Sequence, residues 1–268
     1  MSPTHRQPIG IFDSGIGGIS ILKEITLAMP NEHTIYLSDS ANAPYGEKSK
    51  EEIIQLSKKN TEYLLNKDCK MIVVACNTAT TNAIETLRKE YNVPFIGIEP
   101  AIKPAALKTT TNVVGILATK GTLNSTLFAQ TSSTINKKIS MVEQIGEGLV
   151  ELIEKGEIQS EKMTQLLRNY VGNLIQKNAD CIVLGCTHYS YLIPQIRKIV
   201  THGIHIIDAG EAVAKQTKNI LLKHNLLNVS TAKKAKNQVQ VLINKNSDVL
   251  RNIILEHEMD CDMEETFF

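Results

Sequence analysis

Two cysteines have sequence neighbours that suit acid–base chemistry. Cys76 opens the sequence Cys-Asn-Thr, and Cys186 opens the sequence Cys-Thr-His. Each follows a predicted buried strand and precedes a predicted helix, where the positive end of the helix dipole lowers the pKa of a thiol. Because the thiolate is the reactive form of cysteine, this placement predicts two thiols that do chemistry. His188 is interpreted as a proton donor or orienter beside Cys186, with a pKa near neutrality.

The same residues have two other interpretations. A cysteine in a buried strand is often an inert part of the core. Cys186 and His188 also form a potential pair of metal ligands, but zinc sites need three or four ligands at short recurring spacings. The chain has no partner pair of the Cys-x2-Cys or His-x3-His type, so no metal is expected. The remaining cysteines, Cys69, Cys181 and Cys261, are interpreted as incidental reduced thiols.

A glycine-rich loop follows the first predicted strand. Residues 13–18 read Asp-Ser-Gly-Ile-Gly-Gly, but the third glycine of a dinucleotide-binding loop would fall on Ser20. Asp13 also places a negative charge where a pyrophosphate would lie. The loop therefore favours a ligand with an amino group. No phosphate-binding loop surrounds Lys120, which argues against a pyridoxal phosphate lysine, so no cofactor is expected.

A second loop carries the sequence Ala-Pro-Tyr-Gly at residues 43–46, shortly after Asp39. Proline and glycine favour a rigid turn. We expect this turn to present the phenol of Tyr45 and free backbone amides near Gly46. An ordinary surface turn is the alternative interpretation.

The elements that must position these residues alternate between strand and helix. Continuous apolar runs predict buried strands at residues 9–12, 34–37, 71–75, 93–98, 113–117, 181–184 and 204–207. Helical periodicity is clear at residues 51–65 and 162–176, and Ser49 with Glu52 has the spacing of a capping box. Strand and helix in repeated alternation predict a parallel α/β sheet.

Polar residues follow these strands directly, and ligands of open α/β sheets bind at the carboxyl ends of strands. We therefore expect them to converge on one crevice. The residues that share this position are Asp13, Ser14, Asp39, Cys76, Asn77, Thr78, Thr119, Cys186, Thr187, His188 and Asp208.

The chain also resembles itself. Residues 72–78 align with residues 182–188, with cysteine on cysteine, at an offset of 110. Residues 9–14 align with residues 114–119 at an offset of 105. Two matches in the same order with nearly equal offsets favour one α/β unit used twice.

The amino-acid composition argues against some classes of binding partner. The 268 residues carry a net charge of +1, so no overall field attracts nucleic acid or an anionic membrane. Aromatic residues make up 4% with no Trp, which argues against base stacking. No signal peptide or membrane-spanning run is present, and a cytoplasmic protein is predicted. The basic residues Lys233, Lys234 and Lys236 and the acidic residues near the C-terminus are interpreted as solvated surface.

Five segments together resemble the motifs of bacterial glutamate racemase, in the family's order and over nearly the whole chain. They are residues 12–18, residues 36–46, residues 75–79, residues 97–100 and residues 184–189. The Cys-Asn-Thr element alone indicates the wider aspartate/glutamate racemase group, and Cys-Thr-His-Tyr points to glutamate. Two positions depart from the pattern: Ser38 stands where a glycine is common, and Ser190 stands where a proline is common.

The resemblance implies an isomerase that needs no cofactor and interconverts L- and D-glutamate with two bases, supplying D-glutamate for peptidoglycan. By resemblance, Cys76 acts on D-glutamate, Cys186 acts on L-glutamate, and Asp13 and His188 assist the neighbouring thiols. The implied substrate contacts are Asp13, Ser14, Tyr45, Gly46, Asn77, Thr78, Thr187 and His188. A homodimer is one assembly compatible with the resemblance.

The resemblance also implies two similar parallel-sheet α/β domains with the active site in the cleft between them. We expect the first to comprise residues 1–98 plus 208–268 and the second residues 99–207. The two enantiomers have an equilibrium constant of one, so opposed acid–base groups from duplicated halves suit the reaction. The alternatives are a racemase of another acidic amino acid, such as aspartate, and a non-catalytic two-lobed amino-acid binding module.

Overall fold

The computed structural model of the chain describes residues 4–200, 202–229 and 238–268. Lys233, Lys234 and Lys236 lie outside the described residues. Ten strands are present in the described part, and every strand pair is parallel. The described part contains no helix that is both long enough and apolar enough to cross a membrane.

The strands form two sheets, here named sheet A and sheet B. Sheet A has the order β10-β9-β2-β1-β3-β4, and sheet B has the order β6-β5-β7-β8. Sheet A contains β1 (Ile9–Asp13), β2 (Thr34–Ser38), β3 (Met71–Val74), β4 (Phe95–Gly97), β9 (Val239–Ile243) and β10 (Asp262–Glu265). Sheet B contains β5 (Val113–Ala118), β6 (Ser140–Ile145), β7 (Cys181–Gly185) and β8 (His205–Ile207).

Eleven α-helices of the described residues cover the sheets. They are α1 (Ile19–Ala28), α2 (Lys50–Asn66), α3 (Asn77–Glu90), α4 (Ile102–Lys108), α5 (Lys120–Leu123), α6 (Thr126–Ser133), α7 (Leu149–Glu154), α8 (Glu161–Gln176), α9 (Ile193–Ile199), α10 (Gly210–Lys223) and α11 (Ser247–Glu256). The predicted capping box is confirmed, because the Ser49 hydroxyl accepts from the Glu52 amide and the Glu52 carboxylate accepts from the Ser49 amide.

The two halves have the same strand order. β1 lies between β2 and β3, as β5 lies between β6 and β7, and a fourth strand follows outside each third one. β1 and β5, and likewise β3 and β7, are the strand pairs that resemble each other in sequence. The prediction of two similar parallel-sheet α/β domains is therefore confirmed.

Strand membership is compatible with the predicted domain division. All strands between residues 9 and 97 and between residues 239 and 265 belong to sheet A, and those between 113 and 207 belong to sheet B. α10 packs on α1 and therefore on the sheet A side. The boundaries at residues 98 and 208 stay a prediction.

Three strands are missing from the sequence prediction, and two of them are edge strands. β6 has no fully buried residue and carries Glu143 and Gln144, so it lacks an apolar run. β10 is formed by the acidic Asp262–Glu265 segment. Its acidic side chains are exposed as predicted, but its backbone pairs with β9. In β9, Gln240 interrupts the apolar residues.

Candidate active site

A small cavity lies between the carboxyl ends of the two sheets. It brings together nine of the ten residues that the sequence and the resemblance select: Ser14, Tyr45, Gly46, Cys76, Asn77, Thr78, Cys186, Thr187 and His188. Pro44, Thr119 and Val150 complete the lining. Its volume is about 10 Å³, which holds roughly one water molecule. Residues from both sheets therefore enclose one almost closed site.

Cys76 lies between the end of β3 and the start of α3. The thiol donates to the Ser14 hydroxyl (Sγ to Oγ, 3.4 Å), and the sulfur accepts from the Ala79 amide in the first turn of α3 (3.4 Å). Burial raises the pKa of Cys76 well above its usual range, and the Asp13 charge raises it further. The two hydrogen bonds act in the opposite direction. The expected lowering by the helix is thus outweighed, because desolvation of a buried thiolate costs more than one amide returns.

Cys186 has a different partner. It precedes a six-residue 3-10 helix, Thr187–Leu192, and α9 begins only after that segment. Its sulfur lies 3.8 Å from Nδ1 of His188. His188 Nε2 lies 2.6 Å from Oε1 of Glu154. The expected helix directly after Cys186 is therefore a 3-10 helix, and an imidazole stands where a helix amide contacts Cys76.

The charge state of His188 follows from these neighbours. Burial alone would lower the pKa of the imidazole, but hydrogen bonds and charges of Cys186 and Glu154 hold the pKa of His188 well above its ordinary value. The prediction of a pKa near neutrality is therefore wrong. With both ring nitrogens protonated, Nδ1 donates toward the Cys186 sulfur and Nε2 donates to Glu154.

Glu154 is the functional residue that sequence reasoning missed. It ends α7, whose other buried residues are apolar, and it is itself buried. Its Oε1 accepts from the Ile16 amide (2.8 Å) as well as from His188, and its Oε2 accepts from the Ser40 hydroxyl (3.0 Å). These partners lie as far as 138 residues away in the chain. The one local signal is that Glu154 directly follows the buried apolar residues Leu152 and Ile153 at the end of a short helix.

Asp13 lies beneath the cavity and does not line it. One carboxylate oxygen accepts from the Gly18 amide (2.9 Å), and the other accepts from the Thr187 hydroxyl (3.5 Å). Burial raises the pKa of Asp13 to about 6, against the lowering effect of the His188 charge. Asp13 therefore does not face the closed cavity, and its direct contact with a ligand stays a prediction.

The glycines of the loop after β1 have a packing role. A Cβ on Gly15 would overlap Oε1 of Glu154, and a Cβ on Gly17 would lie 2.5 Å from Nδ1 of His188. A Cβ on Gly18 would lie 2.8 Å from the Asp13 side chain. The loop resembles a nucleotide-binding loop because its backbone comes close to other groups, and those groups are the protein's own side chains.

The Tyr45 phenol turns away from solvent, so the expectation of a presented phenol is wrong. Its hydroxyl donates to Oδ2 of Asp39 (2.6 Å) and accepts from the Asn60 amide (3.2 Å). Asp39 therefore supports the 43–46 turn from behind and does not line the cavity. The side of Tyr45 and the backbone of Gly46 form the wall instead.

Asp208 is the third strand-end residue, after Asp13 and Asp39, that does not line the cavity. Its carboxylate accepts from the Ser190 hydroxyl (2.8 Å) and from the Gly210 amide (3.0 Å). The expectation that all strand-end polar residues line one crevice is therefore wrong for Asp13, Asp39 and Asp208. Each has its acceptor positions occupied by loop groups of its own neighbourhood.

Asn77 and Thr78 both line the cavity, but only the Thr78 side chain has a hydrogen-bond partner among the described residues. The Asn77 amide is 2% exposed, and neither its Oδ1 nor its Nδ2 has a hydrogen-bond partner among the described residues. Thr78 bonds across the cleft to Thr119, with 2.8 Å between the hydroxyl oxygens. A buried amide without a partner is costly unless a ligand satisfies it, so Asn77 is a ready binding group.

A wider vestibule of about 800 Å³ lies next to the cavity and shares four lining residues with it, Pro44, Gly46, Thr119 and Val150. Charged residues of both signs surround it: Glu47, Lys48, Lys50, Lys120, Glu147 and Glu151. Within residues 4–200, 202–229 and 238–268, no group of three His, Cys, Asp or Glu side chains is arranged to hold a metal ion.

Comparison with known proteins agrees with this geometry. The model of the Asp/Glu/Hydantoin racemase family matches residues 16–217. The chain is 45% identical to the glutamate racemase of Herpetosiphon aurantiacus over 226 residues, covering 84% of this chain and 89% of the relative. It is 39% identical to the glutamate racemase of Roseiflexus sp. over 264 residues, covering 98% and 96%.

A solved structure of similar shape is the glutamate racemase of Francisella tularensis in complex with D-glutamate. The TM-score is 0.84, with 27% identity and 98% of each chain covered. Family model, relatives and structure agree over most of the chain, and the chain belongs to the Asp/Glu/Hydantoin racemase family.

Proposed function

We propose that this racemase interconverts L- and D-glutamate without a cofactor, using Cys76 and Cys186 as its two acid–base groups. The observation that carries the proposal is that two thiols, one from each sheet, line one cavity with separate supporting partners. Ser14 and the α3 amide contact Cys76, and the His188–Glu154 pair supports Cys186. Both relatives are named glutamate racemase, which supports glutamate as the substrate.

The proton steps balance between the two thiols. Starting from D-glutamate, the Cys76 thiolate takes the α-proton, and the Cys186 thiol gives a proton to the opposite face. The reverse reaction starts from a Cys186 thiolate, with His188 donating toward the sulfur. Because the Asp13 charge raises the pKa of Cys76, protonation of Asp13 makes the Cys76 thiolate easier to form. The α-ammonium group of the substrate adds a further positive charge near both thiols.

The substrate is held by polar groups of the cavity wall. The unpartnered Asn77 amide, the hydroxyls of Ser14, Thr78 and Thr187 and the backbone at Gly46 supply donors for the two carboxylates of glutamate. Fixed donors stabilise the negative charge that develops as the α-proton leaves. Asp13 acts from below the cavity, by its charge and its bond to Thr187.

The role of the reaction follows from the same assignment. D-glutamate is made in the cytoplasm and consumed in peptidoglycan synthesis, and cell-wall formation is the proposed context. Aspartate remains the principal alternative substrate. A two-lobed binding protein with the same cavity is the alternative without catalysis.

Exchange of the α-proton in deuterium oxide tests the proposal, followed by proton NMR and polarimetry with no added cofactor. Wild-type enzyme is expected to exchange and racemise both glutamate enantiomers and not L-aspartate. Cys76→Ala and Cys186→Ala are each expected to lose net racemisation with an unchanged fold. Cys181→Ala is the matched control, because Cys181 is buried and does not line the cavity.

Three results would contradict the proposal. Exchange with aspartate alone would assign another substrate. Binding of glutamate without exchange would support the binding module. Wild-type turnover by either cavity variant would exclude the two-thiol assignment.

A further inference from the structure

The Glu154 carboxylate is held from three sides at the junction of the two lobes. α7 precedes β7 of sheet B, whereas Ile16 and Ser40 follow β1 and β2 of sheet A. Oε1 is occupied by the Ile16 amide and His188. Oε2 has one partner among the described residues, the Ser40 hydroxyl at 3.0 Å. The Ser40 hydroxyl is therefore the group that holds Oε2 and so limits rotation of the Glu154 carboxylate about its Cγ–Cδ bond.

Ser40 is itself held by Ser38. Their hydroxyl oxygens lie 3.1 Å apart, and both side chains are buried. Because the Ser40 proton is donated to Glu154, the proton between the two serines belongs to Ser38. The order of donation is Ser38 to Ser40 to Glu154. In such a chain each bond polarises the next one.

We infer that Ser40, oriented by Ser38, is a positioning residue for the Cys186 half of the reaction. Ser40 holds the Glu154 carboxylate in the orientation in which Oε1 accepts from His188 Nε2. That bond in turn keeps Nδ1 of His188 directed toward the Cys186 sulfur. The sulfur and Nδ1 are 3.8 Å apart, which is long for a hydrogen bond, so a small rotation of the imidazole would break this contact. The inference rests on the proposed function, because it names the residues that prepare one of its two thiols.

Loss of the Ser40 hydroxyl is expected to affect the two proton transfers differently. No bond connects Ser38 or Ser40 to Ser14 or to the α3 amide, the described partners of Cys76. Loss of the Ser40 hydroxyl should therefore raise the barrier of the Cys186 step and leave the Cys76 step nearly unchanged. Because the two enantiomers have equal free energy, kcat/KM must fall equally in both directions. The asymmetry is visible in isotope effects.

The test is the α-deuterium isotope effect on kcat/KM for Ser40→Ala with each deuterated enantiomer. We expect kcat/KM to fall about 5- to 20-fold, the cost of one buried acceptor left without its donor. The isotope effect is expected to rise for L-[2-²H]glutamate, because Cys186 removes that deuteron in a slower step. It is expected to fall for D-[2-²H]glutamate, because Cys76 removes that deuteron before the slow step.

Four further variants separate positioning from structural support. Ser40→Thr keeps a hydroxyl and is expected to restore most of the activity. Ser38→Ala is expected to give a smaller change of the same kind, and none when Ser40 is already alanine, because it acts through Ser40. Ser190→Ala is the matched control: its hydroxyl also donates to a carboxylate, that of Asp208, which has no bond to His188. Ser14→Ala weakens the Cys76 side and is expected to show the opposite pair of isotope effects.

Equal isotope effects for both enantiomers in Ser40→Ala would overturn the inference, whatever the loss of rate. If wild-type enzyme does not racemise glutamate, the proposed function fails instead. The inference is then decided by the ¹⁵N–¹H NMR signal of His188 Nε2. Faster proton exchange at Nε2 in Ser40→Ala than in Ser190→Ala supports positioning, and equal exchange rates refute it.

Discussion

At the scale of single residues, the site contains a carboxyl group that is held at a cost in stability. Burial raises the pKa of Asp13 from 3.8 to about 6, which corresponds to about 3 kcal/mol. The folded chain binds the Asp13 proton more tightly than the unfolded chain does. This group therefore favours folding fully below pH about 4, and the benefit is lost as the pH rises through about 6.

Asp13→Asn is accordingly expected to raise the free energy of unfolding by about 1–3 kcal/mol at pH 7.5 and to change it little at pH 4. Racemisation is expected to fall by about 100-fold or more, because asparagine, unlike Asp13, cannot take up a proton as the Cys76 thiolate forms. Urea denaturation at both pH values and a racemisation assay measure the two effects.

Asp180→Asn is a control of opposite sign. Burial opposes ionisation of Asp180, but hydrogen bonds from Thr109, Thr110 and Thr111 hold its pKa well below the usual range. That variant is expected to lose stability at pH 7.5, with the deficit shrinking as the pH falls below about 4. A destabilised Asp13→Asn protein at pH 7.5 would show that the buried carboxylate is compensated by contacts other than those described.

At the scale of elements, the loop between β1 and α1 brings backbone and side chains of both lobes together. Gly15 lies against Glu154, and Gly17 lies against His188. The loop is therefore a contact surface for the Cys186 side of the site, although it follows the strand on which Asp13 lies. Its glycines are explained by this close approach, and their conformation need not be special.

Gly15→Ala is expected to displace Glu154 and to lower stability by about 2–4 kcal/mol, because a methyl group overlaps a buried carboxylate. Racemisation is expected to slow, because the proton transfer at Cys186 slows. Gly172→Ala is the matched control within α8, where a Cβ meets nothing within 4 Å. It is expected to gain about 0.5–1 kcal/mol with unchanged activity.

Thermal unfolding and racemisation rates of the two variants provide the measurement. If Gly15→Ala is as stable and as active as the wild type, Glu154 can leave its position without loss. The role assigned to Glu154 would then be wrong.

At the scale of the whole molecule, the lobes are closed on each other. The cavity of about 10 Å³ is far too small for glutamate, so the lobes must separate for the substrate to enter. Hydrogen bonds cross the cleft from Thr78 to Thr119, from Asn82 to the Gly121 carbonyl at 3.1 Å, and from Tyr191 to the Ile16 carbonyl at 2.6 Å. We expect these contacts to favour the closed form.

Asn82→Ala is expected to favour opening, because it removes one of these bonds and lines only the vestibule. A loss of about 1 kcal/mol corresponds to about fivefold faster alkylation of Cys76 and Cys186, which are 5% and 7% exposed. Mass spectrometry after iodoacetamide treatment measures each site, and D-glutamate is expected to protect both. Cys261, which is more exposed, serves as the internal reference.

Asn173→Ala is the matched control, because the Asn173 amide bonds to Gln144 within the same lobe at 3.1 Å. It is expected to leave the alkylation rates unchanged. Equal rates at Cys76 in the two variants would mean that Asn82 does not hold the cleft closed.

Much of the architecture can be predicted from the sequence alone because its signals are local. Continuous apolar runs predict the central strands, since strands buried on both faces have no polar alternation. The strand-end rule then selects eight of the twelve residues that line the cavity, and the repeat of Cys76 at Cys186 predicts the duplicated unit. The edge strands β6 and β10 are not predicted, because partly exposed strands carry no continuous apolar run.

The tertiary structure decides which partner each of these residues meets. Glu154 contacts groups 34, 114 and 138 residues away, and no local pattern encodes such a meeting. The same is true of the bond from the Thr187 hydroxyl to Asp13, which joins residues 174 positions apart. Burial and charge at these contacts then set the pKa values, including the high pKa of Cys76, which helix position alone would lower. The sequence thus determines the two thiols and the strands that carry them. Only the tertiary structure decides how each thiol is supported, because Ser14 reaches Cys76 from another strand end, and the Glu154 carboxylate beside His188 is held by Ile16 and Ser40 of the other lobe.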